Sequence, residues 1–135
     1  MNKIKDRPYF SVVIPSRNDS YSEDMLKKFT IGLSTLINQL NYYKIKSEII
    51  IVEWNPPRES RKLSDELFFF KNLHYCVIRI ITVDPVVHNR YVGFKKKSIA
   101  VSVAFNTGIR RAKGLFITTK AADTFYSDDL IKYIS

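Results

Sequence analysis

The run Ile49-Ile50-Ile51-Val52 constrains the fold more than any other feature of this chain. Consecutive β-branched residues without a polar interruption suit a strand that is buried on both faces, as central strands of parallel sheets are. Asn55-Pro56-Pro57 follows the run and favours a break in the chain directly after it. We therefore predict a central parallel strand over residues 48–54.

The rest of the chain alternates short apolar runs with segments in which apolar residues keep helical spacing. This alternation is typical of an α/β domain with an open, mostly parallel sheet and flanking helices. Ligands of such sheets bind outside the carboxyl ends of the strands, and four such ends are predicted: residues 15–19, 53–57, 84–88 and 121–123. The predicted segments are further strands over 10–14, 76–83 and 115–119, a helix capped by Ser22, a short helix over 63–70, a helix capped by Ser98 that stops at Gly114, and a helix over 130–134.

Length and composition place the chain among ordinary globular proteins. Its 135 residues fit one domain over residues 1–135, and 45% hydrophobic with 26% charged residues is a usual balance. No apolar run approaches the roughly 20 residues that span a bilayer, and residues 1–7 lack the apolar stretch of a signal peptide, so we expect a cytoplasmic protein without a transmembrane segment. The single cysteine, Cys76, lies in a predicted strand and is expected to be a buried, inert thiol.

A formal net charge of +9 indicates an anionic partner or a solvated basic surface. The basic residues are spread along the chain except between Arg90 and Lys97, where Lys95-Lys96-Lys97 is densest. That segment precedes a predicted helix N-terminus, so it fits a phosphate clamp as well as it fits a solvated loop. No helix-turn-helix, RNP or zinc pattern is present, so nucleic acid is not the expected partner. The sparse glycines also exclude the dinucleotide and P-loop motifs.

Four blocks of the sequence resemble, in the right order, the N-terminal half of the GT-A-type (family 2-like) nucleotide-sugar glycosyltransferases. Residues 48–57 also resemble a branch of glycosyltransferase-like proteins with a Glu-Trp-Asn-Pro-Pro motif. The resemblance implies a GT-A (nucleotide-diphospho-sugar transferase-like, Rossmann-like) fold that is shorter than the complete enzymes. The blocks are Val12-Val13-Ile14-Pro15-Ser16-Arg17-Asn18, residues 48–57, the Ala104-x-Asn106-x-Gly108 segment, and the strand that ends before Ala121-Ala122-Asp123.

The same resemblance implies which residues bind the nucleotide sugar. The first loop and the acidic residue that ends the second strand would hold the nucleoside, with Glu53 as a carboxylate acceptor for uracil or guanine N–H groups. The basic segment would face the diphosphate. The implied binding residues are Pro15, Ser16, Arg17, Glu53, Asn55, Arg90 and Lys97.

The family's Asp-x-Asp motif holds Mn²⁺ or Mg²⁺ against the diphosphate. Here Ala121 stands at the first acidic position, which leaves Asp123 as the implied metal ligand and predicts weak binding that needs the nucleotide. Asp128 and Asp129 follow Ser127 and fit helix capping instead.

The resemblance predicts a glycosyltransferase, or its donor-binding domain, that takes a UDP- or GDP-sugar and passes the sugar to an unknown acceptor. Complete GT-A enzymes carry a second half with the acceptor pocket and the general base, so no catalytic residue is assigned here. Four alternatives remain open: one domain of a longer protein, a site completed by association with another chain, a donor-binding or interaction domain without catalysis, and, less favoured, a nucleic-acid-binding module, which the net charge of +9 and the 13% aromatic content would suit.

Overall fold

The computed structural model describes residues 6–19, 24–67, 70, 73–91 and 97–135. Four strands and five helices are described, in the order β1 (Phe10–Ser16), α1 (Met25–Tyr42), β2 (Ser47–Trp54), α2 (Leu63–Glu66), β3 (Cys76–Val83), α3 (Pro85–Asn89), α4 (Val101–Ile109), β4 (Phe116–Thr119) and α5 (Asp128–Ile134).

The strands form one open sheet with the order β3-β2-β1-β4, and every neighbouring pair is parallel. This confirms the predicted α/β class with a parallel sheet. Glu53 lies level with Ser16 on one side and with Thr82 on the other, so the carboxyl ends of the first three strands meet at one edge.

Burial explains why the central strands are apolar throughout. Every residue of β1 and β2 is buried, because helices cover both faces of these strands. One core contains residues of α1 and α5, including Leu33 and Ile131, and a smaller core on the other face contains Ala104 of α4. The continuous apolar run that predicted a central strand therefore reflects this double cover.

Two glycines allow the α4 segment to approach the sheet. A Cβ on Gly108 would collide with the side chain of Val13, so only glycine permits this contact between α4 and β1. The Gly114 amide donates to Ser11 Oγ at 2.8 Å, and a Cβ there would overlap the same serine. The Gly108 position of the Ala-x-Asn-x-Gly segment thus has a packing reason that is independent of any ligand.

Element boundaries differ from the predictions at several ends. α4 ends at Ile109, before the predicted stop at Gly114, and α5 begins at Asp128 rather than at residue 130. β1 continues through Pro15, because Pro15 and Ser16 still lie in register with β2. α4 begins after Ala100 rather than at Ser98, and Ser22 lies outside the described residues. α2 ends at Glu66, short of the predicted limit at residue 70.

Helix α3 was not predicted, although its start carries a recognisable pattern. The Asp84 side chain accepts a hydrogen bond from the Val86 amide at 2.8 Å, and Pro85 occupies the first helical position. Within the described ranges, no helix is long and apolar enough to cross a bilayer.

Candidate functional site

A cleft of about 520 Å³ opens at the carboxyl edge of the sheet. It lies between the end of β1, the start of α1, the segment before α4 and the turn after β4. This volume falls within the range of about 300–1,000 Å³ that small-molecule sites occupy. The lining residues are Pro15, Ser16, Arg17, Asp19, Met25, Lys97, Ser98, Ile99 and Ala122.

Four of the residues predicted to bind a nucleotide sugar line this one cleft: Pro15, Ser16, Arg17 and Lys97. Pro15 and Ser16 end β1, Arg17 follows them directly, and Lys97 comes from the segment that leads into α4. Residues that are 80 positions apart in sequence thus meet because β1 and the α4 segment share one edge of the sheet.

Arg17 is held in place by two hydrogen bonds. Its Nε donates to the main-chain oxygen of Asn55 at 2.5 Å, and its Nη1 donates to Asp19 Oδ2 at 2.7 Å. The Arg17 and Asp19 side chains are 18% and 19% exposed. These bonds use two of the five N–H groups of a guanidinium, so the group enters the cleft wall with a fixed orientation.

Asn55 connects several strand ends. Its backbone has φ of 51°, a left-handed conformation that asparagine tolerates better than most residues. The main-chain N–H of Asn55 donates to the Val83 carbonyl at 2.9 Å, and its side-chain Nδ2 donates to the Ser98 carbonyl at 2.9 Å. Asn55 is not among the described residues that line the cleft, so it positions Arg17 and the segment before α4 rather than forming the wall.

Glu53 lies in the interior, not in the cleft wall. Its side chain has no exposed surface. Oε1 accepts from the Leu63 amide at 3.0 Å, and Oε2 accepts from Thr82 Oγ1 at 3.3 Å. The predicted contact between Glu53 and a nucleotide base does not fit this placement, because both carboxylate oxygens bind protein donors away from solvent. Through these two hydrogen bonds, Glu53 connects the first residue of α2 with the end of β3.

The aromatic residue that ends β2 also has a structural role. Trp54 is 1% exposed, and its Nε1–H donates to His88 Nδ1 at 2.8 Å. His88 belongs to α3 and is 3% exposed. The structure packs both inside the domain.

Of the basic segment predicted to bind the diphosphate, Arg90 and Lys97 lie among the described residues. Lys97 is exposed and lines the cleft, whereas Arg90 is exposed at the end of α3 and is not among the lining residues. Lys95 and Lys96 lie outside the described residues.

A buried lysine follows β4 and was missed by sequence reasoning. Lys120 is 3% exposed and donates from Nζ to the Ala121 carbonyl at 3.1 Å, facing Gly32 of α1. Burial lowers the pKa of Lys120, and the nearby Asp123 carboxylate partly opposes that shift. The pattern Thr-Thr-Lys at the end of a strand gave no indication of burial, because the covering helix comes from elsewhere in the chain.

The residues after β4 do not form a metal centre of their own. Asp123 is an exposed single carboxylate, and no group of three His, Cys, Asp or Glu side chains is arranged for a metal within the described ranges. One carboxylate suits only a cation that keeps its waters and shares phosphate ligands.

Cys76 is buried as predicted, and burial raises its pKa to about 11, which leaves the thiol protonated at neutral pH.

A second, smaller cleft of about 340 Å³ lies at the ends of β2 and β3. Its lining includes Arg58, Lys62, Thr82 and Asp84. It shares no lining residue with the larger cleft.

No protein-family model matches this chain, and no match to it is found among curated proteins. The fold, the cleft and the chemistry of its residues are therefore the basis for inferring function.

Proposed function

We propose that this chain is a GT-A-type donor-binding domain that holds the diphosphate of a UDP- or GDP-sugar in the larger cleft. The observation that supports this function best is the convergence of Arg17 and Lys97 on one cleft at the carboxyl edge of a parallel sheet.

The cleft combines charge with apolar surface in a way that suits a nucleotide. Arg17 and Lys97 supply two cations for a diphosphate, and charge-assisted hydrogen bonds to phosphate are among the stronger polar contacts. Because Asn55 and Asp19 already orient Arg17, little side-chain freedom is lost on binding. Pro15, Met25 and Ile99 line the same cleft and offer apolar contact to a ribose or a base.

A divalent cation would add to this site only together with the nucleotide. Asp123 supplies one carboxylate, so Mn²⁺ or Mg²⁺ would take most of its ligands from phosphate oxygens and water, and would neutralise charge on the diphosphate. Sugar transfer to an acceptor is part of the same proposal. A donor-binding domain without catalysis is the second candidate, and Ala121 at the family's first acidic position favours it.

A thermal-shift panel tests the binding proposal. UDP, GDP and their sugar conjugates, with and without Mn²⁺, are compared with a single-stranded oligonucleotide at equal phosphate concentration. A nucleotide at about 100 times its dissociation constant should stabilise the fold by roughly 2.7 kcal/mol. Stabilisation by the oligonucleotide alone would contradict the proposal and favour a nucleic-acid-binding module.

A further inference from the structure

The positive charge of this chain comes mainly from one long segment without acidic residues. Residues 85–122 contain eight lysine or arginine residues and no aspartate or glutamate. The whole chain has a formal net charge of +9, so the rest of it is close to neutral. In its described part the segment forms α3, α4 and β4, and α4 covers one face of the sheet. The excess charge therefore belongs to the part of the chain that builds the α4 side of the domain.

β4 is partly uncovered on that face of the sheet. α4 packs against β1 and β2. Ile117 of β4 is level with Ser11, two positions before Val13 of the core under α4, so Ile117 points to the α4 face. Its side chain is 44% exposed, and Leu115, just before the strand, is 53% exposed. Aliphatic side chains therefore reach solvent beside α4.

Basic side chains lie next to these two aliphatic ones. Arg110, Arg111 and Lys113 occupy the connection between α4 and β4, and all three are exposed. Arg7 Nε donates to the Lys113 carbonyl at 2.9 Å and so brings a fourth cation to this connection. Within the described ranges, none of these four side chains forms an ion pair. The four cations and the two aliphatic residues together are called the basic aliphatic surface below.

Acidic groups leave the basic aliphatic surface with a net positive charge. Glu48 is buried, and Arg79 matches its charge at 2.7 Å. The two aspartates that begin α5 belong to the opposite side, because α5 packs with α1 in the other core. Asp6 precedes Arg7 in the sequence and offsets a single charge.

We propose that the basic aliphatic surface binds an anionic membrane surface. Anionic lipid headgroups attract clustered arginine and lysine side chains, and exposed apolar side chains beside them enter the boundary between headgroups and acyl chains. Leu115 and Ile117 are placed for that second contact, because they are exposed among the cations. The proposal does not rest on nucleotide binding, since the cleft and this surface share no residue.

The aliphatic character of the α4 side favours lipid over nucleic acid. Single-stranded nucleic acid binds basic surfaces by stacking its bases on aromatic side chains. The exposed ring of Phe116 points to the opposite face, because Phe116 is level with Phe10 of the α1 core. Four exposed aliphatic side chains lie on α4 or follow it: Val101, Ile109, Leu115 and Ile117.

Vesicle co-sedimentation tests the proposal. Vesicles of phosphatidylglycerol mixed with phosphatidylcholine are compared with vesicles of phosphatidylcholine alone. The wild type should bind the anionic vesicles more tightly, and its affinity should fall at high salt because salt screens exposed charges. Failure to bind anionic vesicles at low salt would overturn the proposal, whether the surface then binds a single-stranded oligonucleotide or a second copy.

A double substitution tests the charges. Arg110→Gln with Lys113→Gln should weaken binding to anionic vesicles by at least about tenfold. Lys27→Gln with Lys28→Gln is the matched control, because these exposed lysines of α1 remove the same two charges from the opposite side. The control should stay within about twofold of wild type. Circular dichroism verifies that both variants fold. Equal losses would indicate a general effect of net charge and would overturn the proposal.

A single substitution tests the apolar contact. Ile117→Thr keeps a β-branched residue in β4 but removes apolar surface, so binding should fall by about threefold or more at low and at high salt. Ile31→Thr is the control, because Ile31 is 49% exposed on α1. An Ile117→Thr variant that binds as tightly as Ile31→Thr would contradict insertion of this side chain into the membrane.

Discussion

Arg17 Nε donates to the main-chain oxygen of Asn55 at 2.5 Å, and this bond joins the carboxyl ends of the two central strands. Arg17 follows β1 and Asn55 follows β2. Asn55 also donates hydrogen bonds to the carbonyls of Val83 and Ser98. This one residue, in a left-handed conformation, therefore connects the carboxyl ends of β1, β2 and β3 with the segment that precedes α4. The shape of the larger cleft therefore depends on a residue that lies outside its wall.

Substitution of Asn55 should separate its backbone role from its side-chain role. Asn55→Gly keeps the left-handed conformation but loses the bond to the Ser98 carbonyl, so we expect a loss of about 0.5–1.5 kcal/mol in the free energy of unfolding. Asn55→Ala loses the same bond and adds the strain of a left-handed alanine, about 1–2 kcal/mol more. Urea unfolding measures both. Equal stability of the two variants would show that the backbone conformation is not strained.

Glu53 gives two different expectations from sequence and from structure. As a base reader, Glu53→Gln would lose about 1.5–3 kcal/mol of nucleotide affinity. Its buried bonds to Leu63 and Thr82 predict instead that nucleotide affinity stays unchanged. Glu53→Leu should destabilise the fold by about 1–3 kcal/mol, because the Leu63 amide then lacks its acceptor. Calorimetric titration and urea unfolding of both variants distinguish the roles, and a Gln variant with native stability and lost affinity would restore the base-reading role.

Glu48 should make stability depend on pH in the acid range. Burial opposes ionisation of this carboxyl, but hydrogen bonds from the Lys113 amide, Ser11 and Arg79 outweigh burial and hold its pKa below the usual value. A lowered folded-state pKa contributes stability above the unfolded pKa of about 4.3, and that stability is lost as pH falls through the folded value. Between pH 7 and pH 3, unfolding free energy should fall less steeply in Glu48→Gln than in wild type. Parallel pH profiles would contradict this assignment.

Asp123 should link metal and nucleotide binding. We expect Mn²⁺ to raise nucleotide affinity roughly fivefold or more, with nucleotide raising Mn²⁺ affinity by the same factor, as linkage requires. Asp123→Ala should abolish that enhancement and leave metal-free nucleotide affinity nearly intact, because Arg17 and Lys97 remain. Titrations with and without Mn²⁺ measure both terms. Equal enhancement in the two proteins would remove Asp123 from the site.

The parts of the fold that the sequence predicted are those with a strong local pattern. The apolar runs of β1 and β2 predicted strands because every residue of these two strands is buried in the sheet. Helix α3 has five residues and shows no helical period, so only the pair Asp84-Pro85 indicated its start. The GT-A assignment rests on the resemblance and stays a prediction.

The candidate site also contains residues that the sequence could place and residues that it could not. Pro15, Arg17 and Lys97 could be placed together because the carboxyl ends of parallel strands share an edge. The burial of Glu53 could not be predicted, since it depends on donors from α2 and β3 that periodicity does not bring together. Lys120 was missed for a similar reason, as α1 covers it from a distant part of the chain.

Isothermal titration of UDP and GDP into a matched pair of lysine variants tests nucleotide binding at the larger cleft most directly. Lys97 and Lys113 are both exposed, but Lys97 lines the cleft whereas Lys113 precedes β4 at the opposite edge of the sheet. Each change to alanine removes one positive charge, so general attraction of anions falls equally in both. We expect Lys97→Ala to lower affinity by roughly tenfold or more, and Lys113→Ala to stay within about twofold of wild type. Equal losses in the two variants, or no nucleotide binding to the wild type, would contradict the account.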